Sequence, residues 1–244
     1  MLGSKYALGL SEYGANIVLA DVYLSECKKL EEIIRKKFKT EPLSVQLDIT
    51  KSDSIESLKK NTLKKYDKID VLINNAAYQG NSKIRSGGFE NLTLNSWQQA
   101  IDVNLTGVFL CCRIIGTQMV KQKFGNIINI GSTYGLVGPD QKIYGQSGQN
   151  SAAFYAASKS GLINLTRYLA TYWEGTGIRV NSLSPGGVEN NQDPEFIKKY
   201  CFRTPLNRMA KKDEYVDAII FLSSDASSYM TGSNLIIDGG WTAW

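Results

Sequence analysis

Histidine is absent from all 244 residues, and this absence excludes more chemistry than any other feature of the sequence. It removes the Ser-His-Asp and Cys-His arrangements and the commonest transition-metal ligand together. Any acid or base must be Tyr, Lys, Asp, Glu or Cys, and no resident metal is expected. Cysteine is scarce: Cys27, Cys111, Cys112 and Cys201 form no CxxC pair. Neither a zinc ribbon nor a thioredoxin-like motif is indicated, and a reducing cytoplasm fits. No run approaches the ~20 consecutive apolar residues that cross a bilayer. The opening MLGSKYALGL lacks the basic region, apolar run and cleavage site of a secretory signal. A cytoplasmic protein with no membrane partner is expected. Repeats, low-complexity tracts and dividing linkers are also missing, which predicts one domain over 1–244.

A surplus of one charge is lacking as well. The formal net charge is +5, but bases and acids are interleaved, as in KKLEEIIRKKFK from Lys28 to Lys39. Leu30, Ile33, Ile34 and Phe38 follow helical spacing there, so the charges form a solvated face and no nucleic-acid partner is expected.

What the sequence has is alternation. Apolar runs at Asn16 to Asp21, Leu43 to Asp48, Ile69 to Asn74, Gly125 to Ile130, Ile178 to Leu183 and Ser233 to Asp238 read as strands. Between them Ser52 to Lys65, Asn95 to Lys121, Tyr155 to Trp173 and Lys212 to Ser223 read as helices. Strands this apolar, alternating with helices, predict a doubly wound parallel sheet of the Rossmann type, an α/β/α arrangement in three layers. Ligands bind such sheets at the carboxyl ends of the strands. There the sequence places Asp21, Asp48, Asn74 to Ala77, Gly131-Ser132 and Pro185 to Gly187.

Several motifs occur in order: NNAA at Asn74 to Ala77, NLTG at Asn104 to Gly107, Gly131-Ser132, YAASK at Tyr155 to Lys159, SPGG at Ser184 to Gly187, and TGSNLIIDGG near the end. With them the sequence resembles the short-chain dehydrogenase/reductase family from about Gly3 to Gly240. The resemblance implies a catalytic set of Asn104, Ser132, Tyr155 and Lys159. Tyr155 would exchange a proton with the substrate oxygen while the nicotinamide exchanges a hydride; Ser132 would hydrogen-bond that oxygen. Asn104 would hold a water linking Lys159 to solvent. Bringing a phenol from about 10 to about 7 needs roughly 4 kcal/mol. An ammonium about 4 to 5 Å away at an effective dielectric near 20 supplies roughly 3 to 4 kcal/mol, which is the expected role of Lys159, one helical turn on.

For the cofactor, the resemblance implies Gly3, Asp21, Asp48, Ile49, Asn75, Ala76, Ala77, Tyr155, Lys159, Pro185, Gly186 and Val188, with Asn74 also beside the groove. Asp21, 18 residues after Gly3 with no arginine at Val22 or Tyr23, favours NAD over NADP. Aligning Gly14-Ala15 with the family pattern leaves the first strand and most of the glycine-rich loop outside the sequence. The expectation is a domain truncated at its N-terminus, with two explanations open: a natural start 10 to 20 residues upstream, or a form that holds dinucleotide poorly.

Ser132 and Tyr155 are 23 residues apart, about ten more than the family pattern. Tyr144 sits nearer the usual distance, but Gly148 follows it where lysine is needed. The extra stretch, Leu136 to Ala153, reads as a loop at the crevice mouth, and Val188 to Met209 as a lid whose Lys198, Lys199 and Arg203 are solvated helix charge. The pattern is most similar to bacterial members associated with surface-polysaccharide or flagellin-sugar modification, which implies a sugar, polyol or sugar-nucleotide substrate. A homodimer or homotetramer through the two long helices is expected, and Trp241 and Trp244 hint at burial against a partner. The competing reading is a non-catalytic protein on the same fold.

Overall fold

The computed structural model describes all residues from Met1 to Trp244. In chain order its elements are α1 (Leu2–Glu12), β1 (Val18–Asp21), α2 (Leu24–Lys37), β2 (Leu43–Gln46), α3 (Ser52–Tyr66), β3 (Val71–Asn74), α4 (Ser82–Ser86), α5 (Leu94–Ile101), a π turn (Asp102–Thr106), α6 (Gly107–Gln122), β4 (Gly125–Ile130), α7 (Ala153–Tyr172), β5 (Ile178–Pro185), α8 (Pro194–Arg203), α9 (Val216–Ser223) and β6 (Asn234–Ile237). All strand pairs are parallel: β1 with β2, and β3-β4-β5-β6 as a second sheet. No strand lies between β1 and β3, so each keeps one unpaired edge.

Local sequence explains the layers. All six residues of β4 are buried, and alternate side chains face opposite layers. Ile127 packs with Ile115, Met119, Leu162 and Val180 under α6 and α7, whereas Ile128 and Ile130 pack with Leu183, Ile219 and Leu222 under α1 and α9. Helix α1, absent from the sequence reading, joins the two sheets: Tyr6 packs against Ile128, and the adjacent Ala7 against Leu19 of β1. Helix α2 turns Ile34 fully inward but leaves Ile33 half exposed, so its apolar stripe is narrower than the spacing suggested.

The segment Leu94–Gln122, continuous through the π turn, contains an 18-residue window of mean hydropathy 1.4 and is long and apolar enough to cross a membrane by length and composition. Half of that apolar window is buried, against α3, β3 and β4 among others. The expected partner burial of Trp241 is corrected: it is 2% exposed and stacks on Tyr200 of its own chain, with ring centroids 4.3 Å apart. Trp244 remains exposed.

Candidate active site

The strand ends deliver the polar groups to one edge of the sheet. Asp21 closes β1, Asn74 closes β3, Ser132 lies two residues beyond β4, and Pro185 ends β5. Above them α7 starts at Ala153, placing Tyr155 in its first turn and Lys159 in the next. Lys159 Nζ lies 5.8 Å from the centre of the Tyr155 ring. The two side chains therefore meet across one helical turn, as their spacing predicts.

The ammonium is bonded elsewhere than expected. Lys159 is 2% exposed, and its Nζ donates to the Ile130 carbonyl at 2.6 Å. Burial lowers its pKa to about 8. Burial also raises the Tyr155 phenol above its ordinary value, although hydrogen bonds with Ser132 and Gln79 pull the other way. The expectation of a lysine-acidified phenol is thus corrected for the protein alone. Desolvation disfavours both charged forms, so the phenol is neutral and carries its proton.

Ser132 is buried and caps a short turn, its Oγ accepting the Tyr134 N–H at 3.2 Å. That leaves its own O–H free to donate toward the phenol side. Asn104 lies in the π turn and is almost fully buried. Its amide is committed: Oδ1 accepts the Tyr78 N–H at 2.6 Å, and Nδ2 donates to the Tyr78 carbonyl at 2.8 Å and to Ser158 Oγ at 3.3 Å. The side chain clamps the loop that carries Gln79, and in this arrangement it does not reach toward Lys159. Asn74 is likewise turned away from the groove. Its Nδ2 donates to Asn129 Oδ1 at 2.8 Å, and Asn129 Nδ2 donates to Thr166 Oγ1 at 3.0 Å, a buried chain beneath the sheet. A polar residue within the apolar run GNIINI was the sequence signal for Asn129; Gln79 had none beyond following the strand.

The cofactor residues are distributed along the same edge. Gly3 sits in the first turn of α1 so close to Asn75 that an added Cβ would lie 2.8 Å from its Nδ2. Asp21 is exposed and accepts the Tyr23 N–H at 3.1 Å. The Asp48 carboxylate is held below the usual range, chiefly by the Thr50 hydroxyl at 2.6 Å, with Lys51 3.3 Å away. Ile49 packs against Gly107, where a Cβ would come within 2.7 Å of it. Ala76 and Ala77 are exposed. Gly186 donates its N–H to Ile237 at 2.8 Å, and the Val188 carbonyl accepts Gln192 Nε2 at 2.7 Å while no protein group takes the Val188 N–H.

These residues fit a nicotinamide dinucleotide. An ammonium has three hydrogens, and Lys159, buried beside the phenol, finds one protein acceptor; the others suit hydroxyl oxygens such as those of a ribose. The small residues at Gly3, Ala76 and Ala77 leave backbone accessible, and the first turn of α1 presents unpaired N–H groups with no acidic residue among them.

Comparison with known proteins agrees with this geometry. A family model described as Enoyl-(Acyl carrier protein) reductase matches residues 2–242. The chain belongs to the short-chain dehydrogenase/reductase family. It is 37% identical to trans-4-hydroxycyclohexanecarboxylate dehydrogenase of Sinomonas cyclohexanicum, over 99% of this chain and 89% of that protein. It is 30% identical to post-translational flagellin modification protein A of Campylobacter coli, over 92% of this chain and 87% of that one. The solved structure of a gluconate 5-dehydrogenase from Burkholderia cenocepacia J2315, in complex with NADP and tartrate, superposes with a TM-score of 0.88 at 28% identity, covering 100% of this chain and 92% of that one. The protein is thus an oxidoreductase of a family that binds a nicotinamide dinucleotide.

Within this oxidoreductase the stretch from Leu136 to Ala153 holds one 3-10 turn, Gln141–Tyr144. Tyr144 packs on Phe196 of α8 at 5.2 Å and has no lysine beside it. Two of the three basic residues expected in the lid have partners, Lys199 with Glu195 at 2.7 Å and Arg203 over the Trp241 ring at 5.7 Å with Asp140 4.0 Å away, while Lys198 is exposed and forms no ion pair. A cavity of about 410 Å³ opens between the α4 region and the crevice loop, lined by Ile84, Phe89, Leu92, Pro139 and Ala156, with no titratable group in its wall.

Proposed function

We propose that this protein transfers a hydride between NAD(H) and a secondary alcohol or ketone of the sugar or polyol kind, with Tyr155 as the proton carrier. The observation that carries this reading is the pair in the crevice: the Tyr155 ring with the buried Lys159 ammonium 5.8 Å from its centre, an ammonium with one protein acceptor and hydrogens to spare. The nicotinamide supplies hydride in reduction and accepts it in oxidation. Ser132 donates its hydroxyl hydrogen to the substrate carbonyl, and Tyr155 passes its proton to that oxygen. Lys159 holds ribose hydroxyls and lowers the cost of the phenolate left behind, aided in the reverse direction by the positive charge of the oxidised ring. Proton resupply runs past Lys159 to a water held by a backbone carbonyl loosened in the π turn at Asn104, the side-chain amide being engaged with Tyr78.

Asp21 supports NAD over NADP, since a carboxylate at the ribose hydroxyls repels a 2'-phosphate. Asp48 and Ile49 flank the adenine, Asn75, Ala76 and Ala77 line the groove, and Pro185, Gly186 and the free N–H of Val188 meet the nicotinamide end. The relatives named for a hydroxycyclohexanecarboxylate, for gluconate and for flagellin modification support an alcohol on a ring or polyol. Exposed Phe109, Tyr168 and Tyr172 on the long helices suit a homodimer or homotetramer in the cytoplasm.

A second reading, a non-catalytic protein on this fold, is favoured by one observation: β1 and β3 share no strand, so the floor under the dinucleotide is discontinuous. Fluorescence titration with NADH and NADPH decides between them. The proposal expects NADH to bind at least tenfold tighter than NADPH, and Asp21→Ala to narrow that ratio. Tighter NADPH binding overturns the assignment of NAD, and binding of neither favours the second reading.

A further inference from the structure

One peptide unit at the crevice is gripped at both ends. It joins Gly186 to Gly187 just beyond β5, in the turn that leads to Val188. The Gly186 carbonyl accepts the Tyr215 hydroxyl at 3.2 Å, and the Gly187 N–H donates to the Tyr200 oxygen at 2.5 Å. Tyr215 stands at the head of α9 and Tyr200 within α8, so two separate elements meet on one peptide. Both rings are buried, Tyr215 at 0% and Tyr200 at 4% exposure. Burial raises both phenols, that of Tyr200 to about 12, so each keeps its proton and the two bonds persist across neutral pH.

The turn is shaped to admit this grip. A Cβ added at Gly187 would lie 2.6 Å from Tyr200 Cζ, and one added at Gly186 would lie 2.8 Å from the Asp238 Cα. The flanking groups are held as well: the Gly186 N–H donates to the Ile237 carbonyl at 2.8 Å, and the Gly187 carbonyl accepts the Ala210 N–H at 2.9 Å. The next polar group along the chain is the Val188 N–H, which finds no protein acceptor although Val188 is only 8% exposed. Buried N–H groups are seldom left in that state. Four bonds thus fix the turn and leave one donor over.

We propose that Tyr200 and Tyr215 are positioning residues, which lock the Gly186–Gly187 peptide from both sides and so set the Val188 N–H as donor to the carboxamide at the nicotinamide end of the cofactor. This rests on the dehydrogenase reading above. A peptide held at one end can still pivot about its flanking Cα atoms; held at both, it keeps its plane, and the amide that follows keeps its direction. A hydroxyl donating to the carbonyl also polarises the N–H of the same peptide, so the two bonds support each other. Tyr200 belongs to the lid helix, its ring stacked on Trp241 at 4.3 Å with Phe196 6.0 Å away. Its hydroxyl therefore fastens the lid to the cofactor turn.

The test uses Tyr200→Phe and Tyr215→Phe, which remove one oxygen each and leave the packed rings in place. Binding is measured by titration with whichever reduced dinucleotide the wild type holds more tightly, and with the matching ADP-ribose, which lacks the nicotinamide. Each variant is expected to bind the dinucleotide about fivefold to fiftyfold more weakly, with ADP-ribose affinity kept within about twofold. The double variant loses less than the product of the two single losses, because both hydroxyls serve one peptide. In the protein without ligand, Tyr200→Phe is expected to speed hydrogen exchange at the Gly187 N–H by at least about tenfold. Equal weakening of dinucleotide and ADP-ribose reduces the pair to structural support and overturns the proposal. Unchanged dinucleotide affinity, losses that simply multiply, or unchanged exchange at Gly187 overturn it too. Where wild type binds dinucleotide, those results remove the clamp alone; wild type that binds neither ligand removes the dehydrogenase reading and the clamp's role with it.

Discussion

At the residue scale the site is governed by desolvation. Lys159 is buried with one acceptor, and its pKa falls to about 8 from the model-peptide range near 10.5. The unfolded chain therefore holds that proton more tightly, and the folded state bears a penalty that is full below pH 8 and disappears as pH rises toward 10.5. The penalty is about 3 kcal/mol, and losing the bond to the Ile130 carbonyl returns about 1 kcal/mol. Lys159→Met is accordingly expected to be more stable than wild type by about 2 kcal/mol at pH 7, an advantage that shrinks by pH 10; thermal melts across that range check it. A stabilisation independent of pH would mean that the ammonium is not the origin. Tyr155 and Lys159 were legible in the sequence because YAASK, in order with the other motifs, resembles the family pattern, and helical spacing puts the two on one face. Their electrostatics were not, since the carbonyl of Ile130 and the depth of burial come from elements that the motif does not contain. Gln79 was invisible for the same reason: nothing local marks it, and its loop is held by Asn104, 26 residues beyond Tyr78.

At the scale of elements, the π turn at Asp102–Thr106 does what an unbroken helix would not. The sequence reads as one helix from Asn95 to Lys121, because periodicity does not register a single inserted residue, yet the widened turn delivers Asn104 to the Tyr78 backbone. Asn104→Ala strips the half-buried N–H and carbonyl of Tyr78 of their partners, with a loss of about 1 to 3 kcal/mol. Because the loop beyond Tyr78 carries Gln79 to the phenol, kcat is expected to fall at least tenfold with little change in KM, measured alongside chemical denaturation. Lost stability with unchanged kcat would reduce Asn104 to a structural clamp. Strand ends followed the sequence reading to within about two residues, since pairing stops where a neighbouring strand ends. The Leu136 to Ala153 loop was recognisable from its glycines, but its packing of Tyr144 on Phe196 was not.

On the whole-molecule scale, the three-layer arrangement was readable because six apolar strands alternating with helices permit few other packings. What the pattern did not reveal is how two separate sheets stay together. Helix α1 does this, with Tyr6 facing one core and Ala7 the other. The Trp241 ring, taken from sequence as a surface for a partner, instead closes the lid region onto Tyr200 within the chain. All of these placements matter to the reaction only if the phenol they surround moves the proton. The most direct measurement is NADH-linked turnover of a ketone by wild type and by Tyr155→Phe, with NADH affinity measured on both. The account predicts that kcat/KM falls by at least about a thousandfold while NADH affinity stays within twofold, in keeping with the contribution of a positioned acid. Turnover undiminished in Tyr155→Phe would contradict it.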